Sequence, residues 1–178
     1  MQPTLAKHTV GVMGSGTSEH ENDARAIGEL LADLGVNLLT GGGRGVMRSV
    51  SGAFTQRPGR TGICIGIIPC ESEEDRRTPK SGYPNRFVEL AIYTHLPRSG
   101  EQGTDDLSRN HINVLSCAAA IALPGGAGTA AEASLAVRYQ KPIVAYSRNV
   151  SLIRHFPASI MRVDNIGDVK RFLRSHLG

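Results

Sequence analysis

Tryptophan is absent from this chain of 178 residues, and aromatic residues together reach only 4%. A core of stacked rings is therefore excluded. The interior must come from Val, Ile, Leu and Ala, the composition of parallel strands buried on both faces. Cysteine is scarce: Cys64, Cys70 and Cys117 are an odd number without CxxC spacing, so neither a disulfide framework nor a zinc site is indicated. Cys64 and Cys117 lie in apolar runs and are expected in the core. Cys70 follows a strand pattern and is expected to be more exposed. Lysine occurs only as Lys7, Lys80, Lys141 and Lys170, so arginine carries most of the positive charge. Arginine suits bidentate contacts to phosphate or carboxylate. No basic block or basic-aromatic stripe occurs, and no nucleic-acid partner is expected. No apolar run reaches membrane-spanning length and the N-terminus lacks a signal-peptide pattern, so no membrane partner is expected and the cytoplasm is the default location.

What the chain does contain is 40% hydrophobic residues, 21 glycines and a net charge of +4. The length suits one domain, and the mild positive charge suits a small anionic ligand. Strand and helix patterns alternate, which predicts an α/β fold with a parallel sheet and helices on both faces. Strands are expected at His8–Met13, Val36–Leu39, Thr61–Ile68, Phe87–Tyr93, Ala118–Leu123 and Ile143–Tyr146. Helices are expected at Glu19–Leu34, Val46–Phe54, Asp105–Ser116, Ala130–Tyr139 and Ile166–Leu177. Ser18 and Glu21 match a capping box, and Gly35 is placed to end the first helix. The polar stretch Glu71–Asn85 reads as a long loop, a kind often tied to function.

Three glycine-rich turns follow expected strands: Gly14-Ser15-Gly16-Thr17, Gly41-Gly42-Gly43-Arg44-Gly45 and Pro124-Gly125-Gly126-Ala127-Gly128-Thr129. In open parallel sheets ligands bind outside the carboxyl ends of the strands. The first turn is not a dinucleotide fingerprint, because Glu19 stands where the last glycine belongs, and no acid closes the second strand to hold a ribose. A standard NAD site is disfavoured. The third turn lets backbone N–H groups approach an anion at a helix N-terminus, with the Thr129 hydroxyl as cap or donor. A tight turn without ligand is the alternative. Thr129 and Glu132 also match a capping box, so Glu132 reads equally as a helix cap or as a carboxylate facing a ligand. Arg109 reads as a surface partner of Asp105 or Asp106, or as a phosphate clamp.

These residues carry a family resemblance. The segment Arg109–Glu132, RNHINVLSCAAAIALPGGAGTAAE, resembles the LOG (LONELY GUY) family and its wider superfamily of Rossmann-like proteins, which carry PGGxGTxxE and an upstream arginine at this spacing. The run Gly41–Met47, GGGRGVM, resembles the family's GGxxGxM, and Gly14-Ser15-Gly16 fits its first glycine turn. The resemblance spans Val10 to Val144. It implies a single Rossmann-like, nucleotide-binding domain over residues 1–178, with an open parallel sheet and helices on both faces. The ligand would be held at Gly14, Ser15, Gly41, Gly42, Gly43, Gly125, Gly126, Ala127, Gly128 and Thr129.

LOG enzymes are phosphoribohydrolases that cleave the N-glycosidic bond of cytokinin nucleoside 5'-monophosphates. The resemblance implies that Arg109 and Glu132 are the catalytic pair, that hydrolysis requires no cofactor and that no residue ligates a metal. LOG enzymes follow the arginine with a lysine and then a methionine, whereas this chain has Asn110 and Asn113. The Arg109-Asn110 pair resembles the branch that includes molybdenum cofactor carrier proteins, which bind a phosphorylated pterin. That branch implies the alternative of a non-catalytic carrier, with molybdenum cofactor as the bound ligand. A homo-oligomer is implied in both cases. Proteins of this family are often labelled lysine decarboxylases, but none of the four lysines lies in a glycine-rich turn, so that activity is not expected.

Overall fold

A computed structural model describes residues 8–178. Residues 1–7, which include Lys7 and the start of the N-terminus read above for a signal peptide, lie outside the described residues. Seven strands form one sheet: β1 (Thr9–Met13), β2 (Asn37–Thr40), β3 (Cys64–Ile68), β4 (Leu90–Tyr93), β5 (Ala119–Ala122), β6 (Ile143–Tyr146) and β7 (Met161–Val163). Their spatial order is β4-β3-β2-β1-β5-β6-β7, and every pair is parallel. Chain order reverses between β1 and β5, the switch point where such sheets open a crevice. Because β2, β1 and β5 are neighbours, the three glycine-rich turns emerge side by side at one edge.

Alternation along β1 and β5 divides the core between two faces. Val10, Val12, Ala119 and Ile121 meet α1 (Glu21–Asp33), α2 (Val46–Thr55) and α5 (Ile166–Leu177). Met13, Ala120 and Ala122 meet α3 (Asn110–Leu115), α4 (Ala127–Arg138) and the turn around Ile153. The strand–helix alternation read from the sequence is thus realised as an α/β, Rossmann-like sheet covered on both sides. The edge strand β4 leaves Leu90, Ile92 and Tyr93 exposed.

Several local expectations change. α1 begins at Glu21, after His20 in the left-handed region at φ 41°, and no side chain caps it. The Ser18 capping box does not form. Instead Ser18 N donates to Ser15 Oγ at 2.9 Å, which closes the glycine turn on itself. Gly35 ends α1 at φ 70°, as expected. α3 has six residues rather than twelve, because Asp105 and Ser108 donate into turns and Ser108 bridges to Arg98. β4 starts at Leu90, because Asn85 Oδ1 draws Phe87 N into a turn at 3.0 Å. Strand β7 had no usable pattern: it has three residues on the sheet edge and buries none fully. Cys70 is buried at 3% exposure, because the following residues fold back and bridge it to Pro79.

The Glu71–Asn85 stretch is an ordered strap. Glu71 N donates to Thr78 O at 2.9 Å and Ser81 N to Glu71 Oε2 at 2.7 Å. Its end is stitched to the second glycine turn, where Asn85 N donates to Gly42 O at 2.7 Å and Asn85 Nδ2 to Gly43 O at 2.9 Å.

Candidate functional site

The first and third glycine turns touch directly: Ser15 N donates to Pro124 O at 3.0 Å. Val46 N donates to Ser15 O at 2.9 Å, so α2 starts against the same point. Gly45 sits there at φ 59°, and a Cβ on it would lie 2.4 Å from Ser15 O, a place no other residue fits. The three turns form one floor.

α4 rises from that floor at Ala127, three residues earlier than its apolar pattern indicates. Gly126 is the N-cap, and no side chain caps the helix. This overturns the capping-box reading of Thr129 and Glu132, because Thr129 already lies within the first turn and Glu132 in the second. The early backbone N–H groups of α4 lack intrahelical partners. Thr129 is buried, with its Oγ1 packed under Gly125, where a Cβ would come within 2.1 Å of it.

Arg109 is not on the surface. It is 6% exposed, and its Nη1 donates to Gly41 O at 2.8 Å and Ile67 O at 2.6 Å. Its Nε has no partner. The ring of Tyr83, from the strap, lies over the guanidinium with its centroid 5.5 Å from Cζ. Asp105 pairs with Arg98 instead, at 3.2 Å, so of the two readings of Arg109 the surface pair with Asp105 does not form. Burial pulls the Arg109 guanidinium below its ordinary value, against the opposing influence of Tyr83 and Glu132.

Glu132 does not pair with Arg109 directly. Its Oε1 accepts from Asn113 Nδ2 at 2.7 Å. Asn113 is buried, and its Oδ1 has no partner. Glu132 keeps some surface towards the cleft yet lies deep in the protein. Burial pushes its carboxyl up, and the Arg109 charge and the Asn113 hydrogen bond pull it only part of the way back.

Arg109, Asn110, Gly128, Thr129 and Glu132 line one cleft of about 230 Å³, together with Gly14, Gly16, Met47, Pro69, Lys80, Tyr83, Ser99 and Gly100. This is below the roughly 300–1,000 Å³ of ordinary ligand pockets, so the cleft suits a compact ligand or encloses part of a larger one. A wider groove of about 560 Å³ runs along α1 and α2. Its Arg25 and Arg57 are already paired, to Glu29 at 2.8 Å and Asp33 at 2.9 Å, and no glycine-rich turn opens into it. The convergent chemistry is in the smaller cleft.

The structure brings Gly14, Gly128, Thr129, Arg109 and Glu132 together there. Gly126 and Ala127 stand exposed at the α4 terminus, and Gly125 covers Thr129. Ser15 turns its hydroxyl into its own loop. Gly41, Gly42 and Gly43 are not in the lining. They make room for protein groups instead: a Cβ would strike Arg109 Nη1 at 2.5 Å, Ile68 Cδ1 at 2.4 Å and the Tyr83 ring at 2.6 Å, respectively. Sequence reading missed Lys80, Tyr83, Ser99 and Gly100 as lining residues. Their one signal was the length of the loops that carry them. Among the described residues no group of three or more His, Cys, Asp or Glu is placed to hold a metal ion, and no helix is long and apolar enough to cross a membrane.

Residues 7–170 match the model of the SLOG cluster4 family. The molybdenum cofactor binding protein of Rippkaea orientalis is 28% identical, with 98% of this chain and all of that one covered and a TM-score of 0.73. The molybdenum cofactor carrier protein of Chlamydomonas reinhardtii is 25% identical, with 96% and 98% covered and a TM-score of 0.67. An uncharacterised protein of Archaeoglobus fulgidus is 30% identical over 139 residues, 76% of this chain and 78% of that one. DNA processing protein A of Helicobacter pylori shares the fold at 16% identity and a TM-score of 0.63.

Proposed function

The chain belongs to the SLOG cluster4 family, and from that premise we propose that it is a binding protein and carrier for molybdenum cofactor or a closely related phosphorylated pterin. The observation that carries this reading is the committed state of the two residues a hydrolase would employ. Arg109 spends Nη1 on two main-chain carbonyls, and Glu132 spends Oε1 on Asn113. Asn113 is one of the two asparagines that separate this chain from the LOG pattern. The likeness to the Rippkaea and Chlamydomonas proteins, over nearly the whole chain, supports the same reading.

The phosphate of the cargo is assigned to the N-terminus of α4, at the N–H groups of Gly128 and Thr129 beside the Gly14 turn. Asn110 and Arg109 line the wall that faces the organic part. Arg109, which lines the cleft, carries a buried Nε without a protein partner, a donor that fits an acceptor on the ligand. None of the three cysteines lines the cleft, so no thiolate is offered to the metal. The test is a fluorescence titration with the extracted cofactor and with its metal-free pterin. Saturable binding in the micromolar range or tighter is expected, and its absence for both ligands overturns the reading.

Phosphoribohydrolysis is the second reading, favoured by one observation: Arg109 and Glu132 line the same cleft. It requires free base to appear when the protein is incubated with AMP or a cytokinin nucleotide, and Glu132→Gln to abolish that release. No base release from any nucleoside 5'-monophosphate ends it.

A further inference from the structure

The phosphate assigned to α4 leaves one positive group of the cleft unused. Lys80 lines it from the strap. Its main chain is pinned: Lys80 N donates to Pro69 O at 3.0 Å, and Lys80 O accepts from Tyr83 N at 3.0 Å. The neighbouring Ser81 N is held by Glu71, and the strap is anchored beyond it by Asn85 on the second glycine turn. Arg98 ties the strap to the loop that supplies Ser99 and Gly100, through Glu73 at 3.0 Å and Asp105 at 3.2 Å. Among the described residues no carboxylate forms an ion pair with Lys80. An ammonium held by an ordered turn beside a cleft, without an acid, lacks its counter-charge.

Lys80 and the α4 terminus are carried by loops from different strands. α4 follows β5 and the strap follows β3, and these strands stand three positions apart in the sheet. That spacing is about 14 Å. A ligand whose phosphate sits on α4 can therefore offer a second group to Lys80 within the same cleft. Arg109, already bonded to main-chain carbonyls, and the Tyr83 ring stacked on it line the same cleft. Glu132 is the carboxylate of the lining, and it faces Asn113 on the α3–α4 side.

We infer that Lys80 is a second anion anchor, so that the cleft selects ligands with an anionic group at each end: a terminal phosphate on α4 and a second phosphate or comparable oxyanion at Lys80. This rests on the assignment of phosphate to α4 and adds a ligand class to it. Neither the motifs nor the family resemblance points to Lys80.

The experiment compares two probes on one scaffold, fructose 6-phosphate and fructose 1,6-bisphosphate, by calorimetric titration of the full chain. The wild type is expected to prefer the bisphosphate about tenfold, the worth of one charge-assisted contact. Lys80→Met keeps most of the apolar stem and removes the charge. It should lose the preference for the bisphosphate, and Lys80→Arg should restore it. Equal binding of both probes by the wild type, or a preference that survives in Lys80→Met, overturns the anchor while leaving the α4 site standing. Failure of the wild type to bind either probe overturns the anchor, and the pterin titration then decides the α4 site separately.

Discussion

Glu132 shows how burial and partners compete at a single residue. Burial raises its carboxyl, and Arg109 and Asn113 recover only part of the shift. The linkage follows in sign. A carboxyl whose value rises on folding adds its full stability below its unfolded value, near 4.5, and loses it as pH climbs through the raised folded value. Glu132→Gln keeps an oxygen for Asn113 and cannot ionise. The stability difference between variant and wild type should therefore move in the variant's favour from pH 4 to pH 7, as read from urea midpoints. A difference independent of pH would contradict the environment described for Glu132. Arg109 differs in kind, because it closes two buried carbonyls as well as facing the cleft. Truncating it leaves buried acceptors unpaired, at about 1–3 kcal/mol each. Loss of binding in such a variant must be judged against its stability.

At the scale of elements, the crossing of α1 and α2 constrains the cleft's floor. Gly28 of α1 faces α2 so closely that a Cβ would lie 2.6 Å from Val50 O and 2.8 Å from Ala53 Cβ. The nearest atom is main chain, so it yields only if the helices separate. Helix propensity alone favours replacing this glycine, by up to about 1 kcal/mol for alanine. Overpacking opposes it at about 1–3 kcal/mol, and more for a larger, β-branched side chain. Gly28→Val is expected to lower stability clearly in urea denaturation, and a neutral result would mean that α1 and α2 slide freely. Because α2 begins against Ser15 O, separation of the helices should also loosen the first glycine turn.

For the whole molecule, the two core layers predict how it opens. Cys64 and Cys117 lie on opposite sides of the sheet, each essentially unexposed, and burial pushes both thiols up to about 11. Few thiolates exist at neutral pH and none is reachable without opening the core. Labelling of these two by a thiol reagent should therefore follow global unfolding and slow together as denaturant is removed. Cys70 is held against the fold-back of the strap, with Sγ on Ser72 O at 3.4 Å, outside both core layers, and is expected to label first. Prompt modification of Cys64 or Cys117 in native buffer would contradict a continuous sheet between the layers.

The sequence by itself determined the alternation of strands and helices, because hydrophobic periodicity is a local property that burial on two faces imposes. It also determined the third glycine turn and the presence of Arg109 and Glu132, since residue type and spacing are readable without coordinates. Ser18 and Thr129 misled for a physical reason: a capping pattern states what a side chain is able to do, and competing turns decided otherwise. Only the tertiary structure decided that Gly41 makes room for Arg109, that Asn113 holds Glu132, and that Lys80 and Tyr83 face the same cleft. Those relations join residues far apart in sequence, and they arise when the sheet order sets β3, β2, β1 and β5 side by side. Such contacts follow from chain topology, which no local pattern encodes.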